Sequence, residues 1–197
     1  MLMLDAGEVV SNTQSGEWAR VRTERAGTGG QLIEFDYRLR GGGAVAAAHI
    51  HPNQTETFEV VEGEITIQLG GEKILAKPGV RYVALPGVPH QMVNHTDEDA
   101  MVFSTTFPAL RMDELLETVW GLASDGKTNR WGYPNPLRAA AIADEFRSDF
   151  VLASPPAWVQ NLVFRSLRPI ARLRYPGTYV PVSRRRLRPA PENGGTR

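Results

Sequence analysis

Three of the four histidines in this 197-residue chain fall into one spacing pattern. His49 and His51 are two residues apart, so on a strand both side chains leave the same face. Glu56 follows across Pro52 and Asn53, where the chain can turn and present a carboxylate to those imidazoles. His90 lies about forty residues on, after Pro86-Gly87-Val88-Pro89, and would return from another strand. Three neutral imidazoles and one carboxylate, with no thiolate in the chain, suit one borderline divalent ion: iron, manganese, nickel, zinc or copper. A six-coordinate ion with four protein donors would keep two positions for water, substrate or dioxygen, which a catalytic metal site requires. His95 adjoins Asn94 and on a regular strand faces away from His90, so a surface imidazole is expected there.

The elements that must position these groups read as many short strands between Trp18 and Phe107. Ile33, Phe35, Tyr37 and Leu39 alternate with Glu34, Asp36 and Arg38, the period of a strand with one buried face. The runs 58–61 and 65–69 flank Glu62-Gly63, which predicts a hairpin. Gly70-Gly71 and Lys77-Pro78-Gly79 mark further turns, and strands are expected over 80–85, 91–94 and 100–104. Short strands spaced by turn signals point to a sandwich or barrel. After Pro108 the period becomes helical. Met112, Leu115, Leu116, Val119, Trp120 and Ala123 form one stripe, with Gly126 near the stop. Ala139, Ile142, Ala143, Phe146 and Phe150 form a second. Val159, Leu162, Val163, Leu167 and Ile170 form a third, which Pro169 should kink or end. The stripes are read as faces that dock on the barrel or on one another.

With the strands in place, the sequence resembles a known family. Gly43, five residues, His49-Ile50-His51, four residues, Glu56, six residues and Gly63 match the first cupin motif at every spacing. Gly79, Gly87, His90 and Asn94 match the second, except that Pro86 stands directly before Gly87 rather than two before it. The resemblance covers roughly residues 30–107. It implies a mainly β fold with a single jelly-roll barrel and a metal held inside by His49, His51, Glu56 and His90. It also implies pairing of barrels into a homodimer. The chain is accordingly divided into a barrel at 1–108, a helical extension at 109–175 and a basic, mobile tail at 176–197.

Period-2 reasoning then fills the cavity. Phe58 and Val60 share the phase of Glu56, Met92 and Asn94 share that of His90, and Ile33, Phe35 and Tyr37 come from an earlier strand. Such an apolar lining favours a small aromatic or aliphatic molecule over a sugar phosphate, which would want interior Arg or Lys. Tyr37 is the candidate donor or acid, and Asn94 the candidate for orienting a ligand. The expected activity is that of an iron- or manganese-dependent oxygenase, with Glu56 able to leave the metal and act as a base, as the resemblance implies. The alternatives are a metal-assisted isomerase, hydrolase or lyase that needs no dioxygen, and a barrel that only binds a ligand.

Composition sets the outer limits. Hydrophobic residues make up 42% and charged residues 22%, which fits neither a disordered chain nor a fibrous repeat. The lack of cysteine excludes disulfides, thiolate zinc, iron–sulfur clusters and a cysteine nucleophile. No apolar run reaches the length of a membrane span and no leader is evident, so a cytoplasmic protein is expected. The equal totals of acid and base hide an asymmetry: residues 1–150 carry a net charge of −8 and residues 151–197 a net of +8. The reading favoured for the basic end is a solvated tail paired with the acidic barrel. A basic helix on anionic lipid, assisted by Arg184-Arg185-Arg186-Leu187-Arg188, is the less favoured one. Without a helix-turn-helix or a stacking surface, no specific nucleic acid is expected. Trp131-Gly132-Tyr133-Pro134-Asn135-Pro136 reads as a structural loop before a lid.

Overall fold

The computed structural model describes residues 3–129 and 132–182. Ten strands precede the first helix: β1 (Val9–Ser11), β2 (Trp18–Thr23), β3 (Ile33–Leu39), β4 (Ala44–Ile50), β5 (Thr55–Glu62), β6 (Ile65–Leu69), β7 (Glu72–Ala76), β8 (Arg81–Ala84), β9 (His90–Val93) and β10 (Ala100–Phe107). A late strand, β11 (Val151–Leu152), returns from the helical region. They form two antiparallel sheets, ordered β1-β2-β3-β10-β5-β8 and β11-β4-β9-β6-β7. The alternation read in β3 holds: Ile33, Phe35, Tyr37 and Leu39 are buried while the charged residues between them are half-exposed. β5 and β10 show the same period, and their inner residues join Ile65, Ile67 and Met92 of the opposite sheet in one core. The fold is mainly β, as the sequence suggests.

Glu62-Gly63 is not a hairpin. β5 and β6 lie in opposite sheets, so this turn is a corner of the sandwich. Gly63 has a φ of 78°, and a Cβ there would lie 2.9 Å from the Asp99 carbonyl oxygen, so the corner admits only glycine. The hairpin signal belongs to Gly70-Gly71, which joins β6 to β7 with Leu69 opposite Glu72. Locally, a polar turn with glycine marks both kinds of reversal equally well.

Among the described residues three helices follow: α1 (Met112–Ser124), α2 (Pro136–Glu145) and α3 (Ala157–Arg174). The predicted stripe of α1 is buried apart from half-exposed Val119, and Gly126 and Lys127 close its end by donating to Ala123 and Leu122. The helix also buries Asp113 and Glu114, which lie 3.3 Å and 3.0 Å from the Arg25 guanidinium. Asn135 caps α2 by accepting from the Arg138 amide, with Pro136 in the first turn. From α2 the chain returns to the barrel, where β11 pairs Val151 with Ile50 and Leu152 with His49.

α3 departs from expectation in two ways. It does not end at Pro169 but continues to Arg174, and much of its apolar stripe is not docked: Leu162, Val163 and Ile170 are exposed. Its buried side, including Ala171, packs toward α2, where Asp144 pairs with Arg168 and Arg172. An amphipathic period shows which side of a helix is apolar, but not whether anything covers it. The segment expected to be mobile after Tyr175 also begins in packed form. Tyr179 is buried and its hydroxyl donates to Asp125, which also accepts from the Val182 amide. Tyr133 is half-exposed in a loop closed by a bridge between Thr128 and Pro134, whereas Trp131 and the Arg184–Arg188 run lie outside the described residues.

Candidate metal centre

The four candidate ligands come from both sheets. β4 delivers His49 and, one residue past its end, His51. β9 delivers His90 opposite His49, and β5 delivers Glu56 from the facing sheet. All four are buried, and their ligating atoms lie within 4.8 Å of one another. Nε2 of His49 is 3.2 Å from Nε2 of His51, and Oε2 of Glu56 is 3.1 Å from Nε2 of both His51 and His90. An ion about 2.1 Å from each of two adjacent octahedral donors would separate those donors by about 3.0 Å.

The far side of each ring fixes what those atoms are. Nδ1 of His49 donates to the Ala47 carbonyl at 2.9 Å, Nδ1 of His90 to the Val88 carbonyl at 2.9 Å, and Nδ1 of His51 to the Asp149 carbonyl. A carbonyl oxygen can only accept, so each neutral ring carries its proton on Nδ1 and points a lone pair from Nε2 at the common centre. Three imidazole lone pairs and a carboxylate in mutual contact repel one another unless a cation sits among them. The donor set therefore fits a divalent metal ion.

Charge alone leads the same way. Burial pushes the pKa of His49 down to about 3, with His51 and His90 adding to the effect. Burial also opposes charge on His51 and Glu56, but their contacts outweigh it. The His51 pKa is raised, and Glu56 is held well below the usual carboxylate range by His51 and His90. Without metal, Glu56 thus keeps its negative charge and favours a proton on His51. Metal would displace that proton.

Several groups around the centre were not singled out from the sequence. Ser104 on β10 is buried and its hydroxyl donates to Oε1 of Glu56 at 2.9 Å, which fixes the carboxylate. The Phe150 ring stacks on His49 with centroids 4.8 Å apart. Asp149, whose carbonyl holds His51, is fixed in turn by a 2.7 Å bond from the Arg111 amide to its carboxylate. The segment between α2 and β11 thus forms one wall of the centre.

The predicted lining is buried but not all of it reaches the ligands. Phe58 lies 5.6 Å from the His90 ring, while Ile33, Phe35, Val60 and Met92 belong to the continuous core. Tyr37 packs its ring edge against Trp120 at 6.1 Å. Burial raises its pKa well above the usual phenol value and Glu56 adds to the rise, so the phenol stays protonated. Asn94 does not face the centre as a ligand-orienting group. Its side chain donates to the Leu39 and Glu98 carbonyls and accepts from Thr96, which spends it on the turn after β9. The strand has ended at Val93, so period-2 reasoning no longer applies there. His95 is exposed, as expected. An open cleft of about 450 Å³ lies elsewhere, between Arg138, Arg174 and residues 175–180, and none of the four ligands lines it.

A family model described as a cupin domain matches residues 35–106, a span that holds all four ligands. Over that span the chain is similar to cupin domains. An oxidoreductase from Arthrobotrys oligospora is similar to this chain, with 26% identity over 128 residues. The match covers 61% of the chain and 49% of that protein, so the chain spans about half the length of this curated relative. Among solved structures, a Thermus thermophilus protein is 28% identical with a TM-score of 0.39, covering 41% of this chain and 75% of that one. A sugar phosphate isomerase of the cupin superfamily from Silicibacter pomeroyi is 24% identical with a TM-score of 0.45, covering 54% and 74% respectively.

Proposed function

We propose that this cupin is a mononuclear metal-dependent oxidoreductase, of the oxygenase type, acting on a small organic molecule held inside the barrel. The observation that carries this reading is the convergence of three Nε2 lone pairs and the Glu56 carboxylate in a buried site. His49, His51, Glu56 and His90 would hold the ion. Bound there, iron or manganese would supply Lewis acidity and a change of oxidation state. Phe58 and Phe150 shield the centre from water and offer ring faces to an apolar substrate. Tyr37, protonated, is the donor available from the core side. Ser104 holds Oε1 of Glu56 as an acceptor, leaving Oε2 as the oxygen that would hold the ion or a proton. The name of the Arthrobotrys oligospora relative supports the redox part of the reading.

Oxygen uptake by metal-loaded protein tests it. A panel of diketones, flavonoids and catechols should include a compound that drives uptake, and that uptake should vanish in His90→Ala. Turnover that persists without dioxygen would instead support the second reading, a metal-assisted isomerase, lyase or hydrolase in which Glu56 moves the proton. That reading is favoured by the Ser104–Glu56 bond, which orients a base as well as a ligand.

A further inference from the structure

We infer that α3 is a membrane-surface helix that lies in the interface of an anionic lipid bilayer. At 3.6 residues per turn, Trp158, Leu162, Val163, Ile170 and Leu173 fall in one arc of about 140° on the helix. That arc faces solvent: Trp158 is 71%, Leu162 68% and Leu173 85% exposed. The opposite side packs toward α2, so the apolar arc is not a misread core face. Arg165 and Arg172 border the arc on one edge and Arg174 on the other, all three exposed.

Charge identifies the occupant. No acidic residue occurs between 151 and 182, while Arg165, Arg168, Arg172 and Arg174 all lie on α3. Asp144, the carboxylate paired with Arg168 and Arg172, belongs to α2. An apolar stripe with a tryptophan, flanked by arginines and free of carboxylates, matches a surface of acyl chains beneath anionic headgroups. The remainder of the chain is a poor cover. Residues 183–197 hold five arginines, one glutamate and a single large aliphatic residue, Leu187. A second copy laid face to face would bring the flanking arginines of both helices together. The helix lies on the bilayer rather than across it, since no described helix is long and apolar enough to cross.

Flotation of the full metal-loaded chain with lipid vesicles tests this. The chain should float with phosphatidylcholine vesicles in which phosphatidylserine is about a quarter of the lipid, and not with phosphatidylcholine alone. The association should weaken as salt is raised. Leu162→Glu with Leu173→Glu should abolish flotation, and Arg165→Gln with Arg174→Gln should weaken it about thirtyfold. Both double variants alter exposed side chains and should keep the circular dichroism spectrum and metal content of the parent. Absence of flotation, or flotation unchanged by the two glutamates, would overturn the inference. So would a dimer that the same glutamates dissociate without any flotation, since that result gives the face to a second copy.

Discussion

At the scale of residues, each candidate-ligand histidine faces a backbone carbonyl with Nδ1, so its Nε2 is turned to the common centre before any ion arrives. The cost falls on the metal-free protein, and it has a definite sign. His49 has a folded pKa of about 3 against an ordinary value of 6.5. Between those values the unfolded chain binds a proton there and the folded chain does not, so stability drops as pH falls through that window. His51 acts in the opposite direction. Its folded pKa is raised, so its contribution is complete below its unfolded value and is lost as pH rises through the folded one. The thermal midpoint of chelator-treated protein should therefore decline on the acid side from about pH 6.5 downward, and His49→Gln should flatten that limb. A midpoint in the parent that holds level down to pH 4 would contradict the burial of a neutral His49.

At the scale of elements, the centre depends on a segment outside the barrel motifs. Phe150, between α2 and β11, stacks on His49, and Asp149 beside it holds His51. Phe150→Ala removes the stack that keeps His49 in its ligating orientation, and an aromatic pair of this kind is worth about 0.5–1.5 kcal/mol. Metal affinity measured by competition with a chelator should fall about twofold to tenfold. Phe107→Ala, which alters an exposed ring, should leave it unchanged. This dependence was not legible in the sequence. His51 and Asp149 are 98 positions apart, and no local pattern encodes a return over that distance. The candidate ligands were legible because strand period puts His49 and His51 on one face and the spacing of His49, His51, Glu56 and His90 matches the cupin motifs. Ser104 shares its phase on β10 with Ala100, Val102 and Thr106, and hydroxyls on an inward-facing strand were the available clue. Glu62-Gly63 and Asn94 misled because local periodicity tells neither which sheet a strand joins nor where a strand ends.

At the scale of the whole molecule, the chain separates two chemistries by position. Its acidic first 150 residues build the two sheets around one buried cluster of candidate ligands and add two helices, and its basic remainder, after supplying β11, turns an apolar face to solvent. The equal numbers of acidic and basic residues conceal this division. The helical extension is nonetheless part of the candidate centre, because the residues just before β11 close against His49 and His51. The account stands or falls on whether the four donors hold an ion. Elemental analysis of the untagged protein beside His51→Ala, both after anaerobic reconstitution, decides it. The account predicts close to one iron or manganese ion per chain in the parent and a large loss in the variant. Equal, marginal metal in both proteins would contradict it.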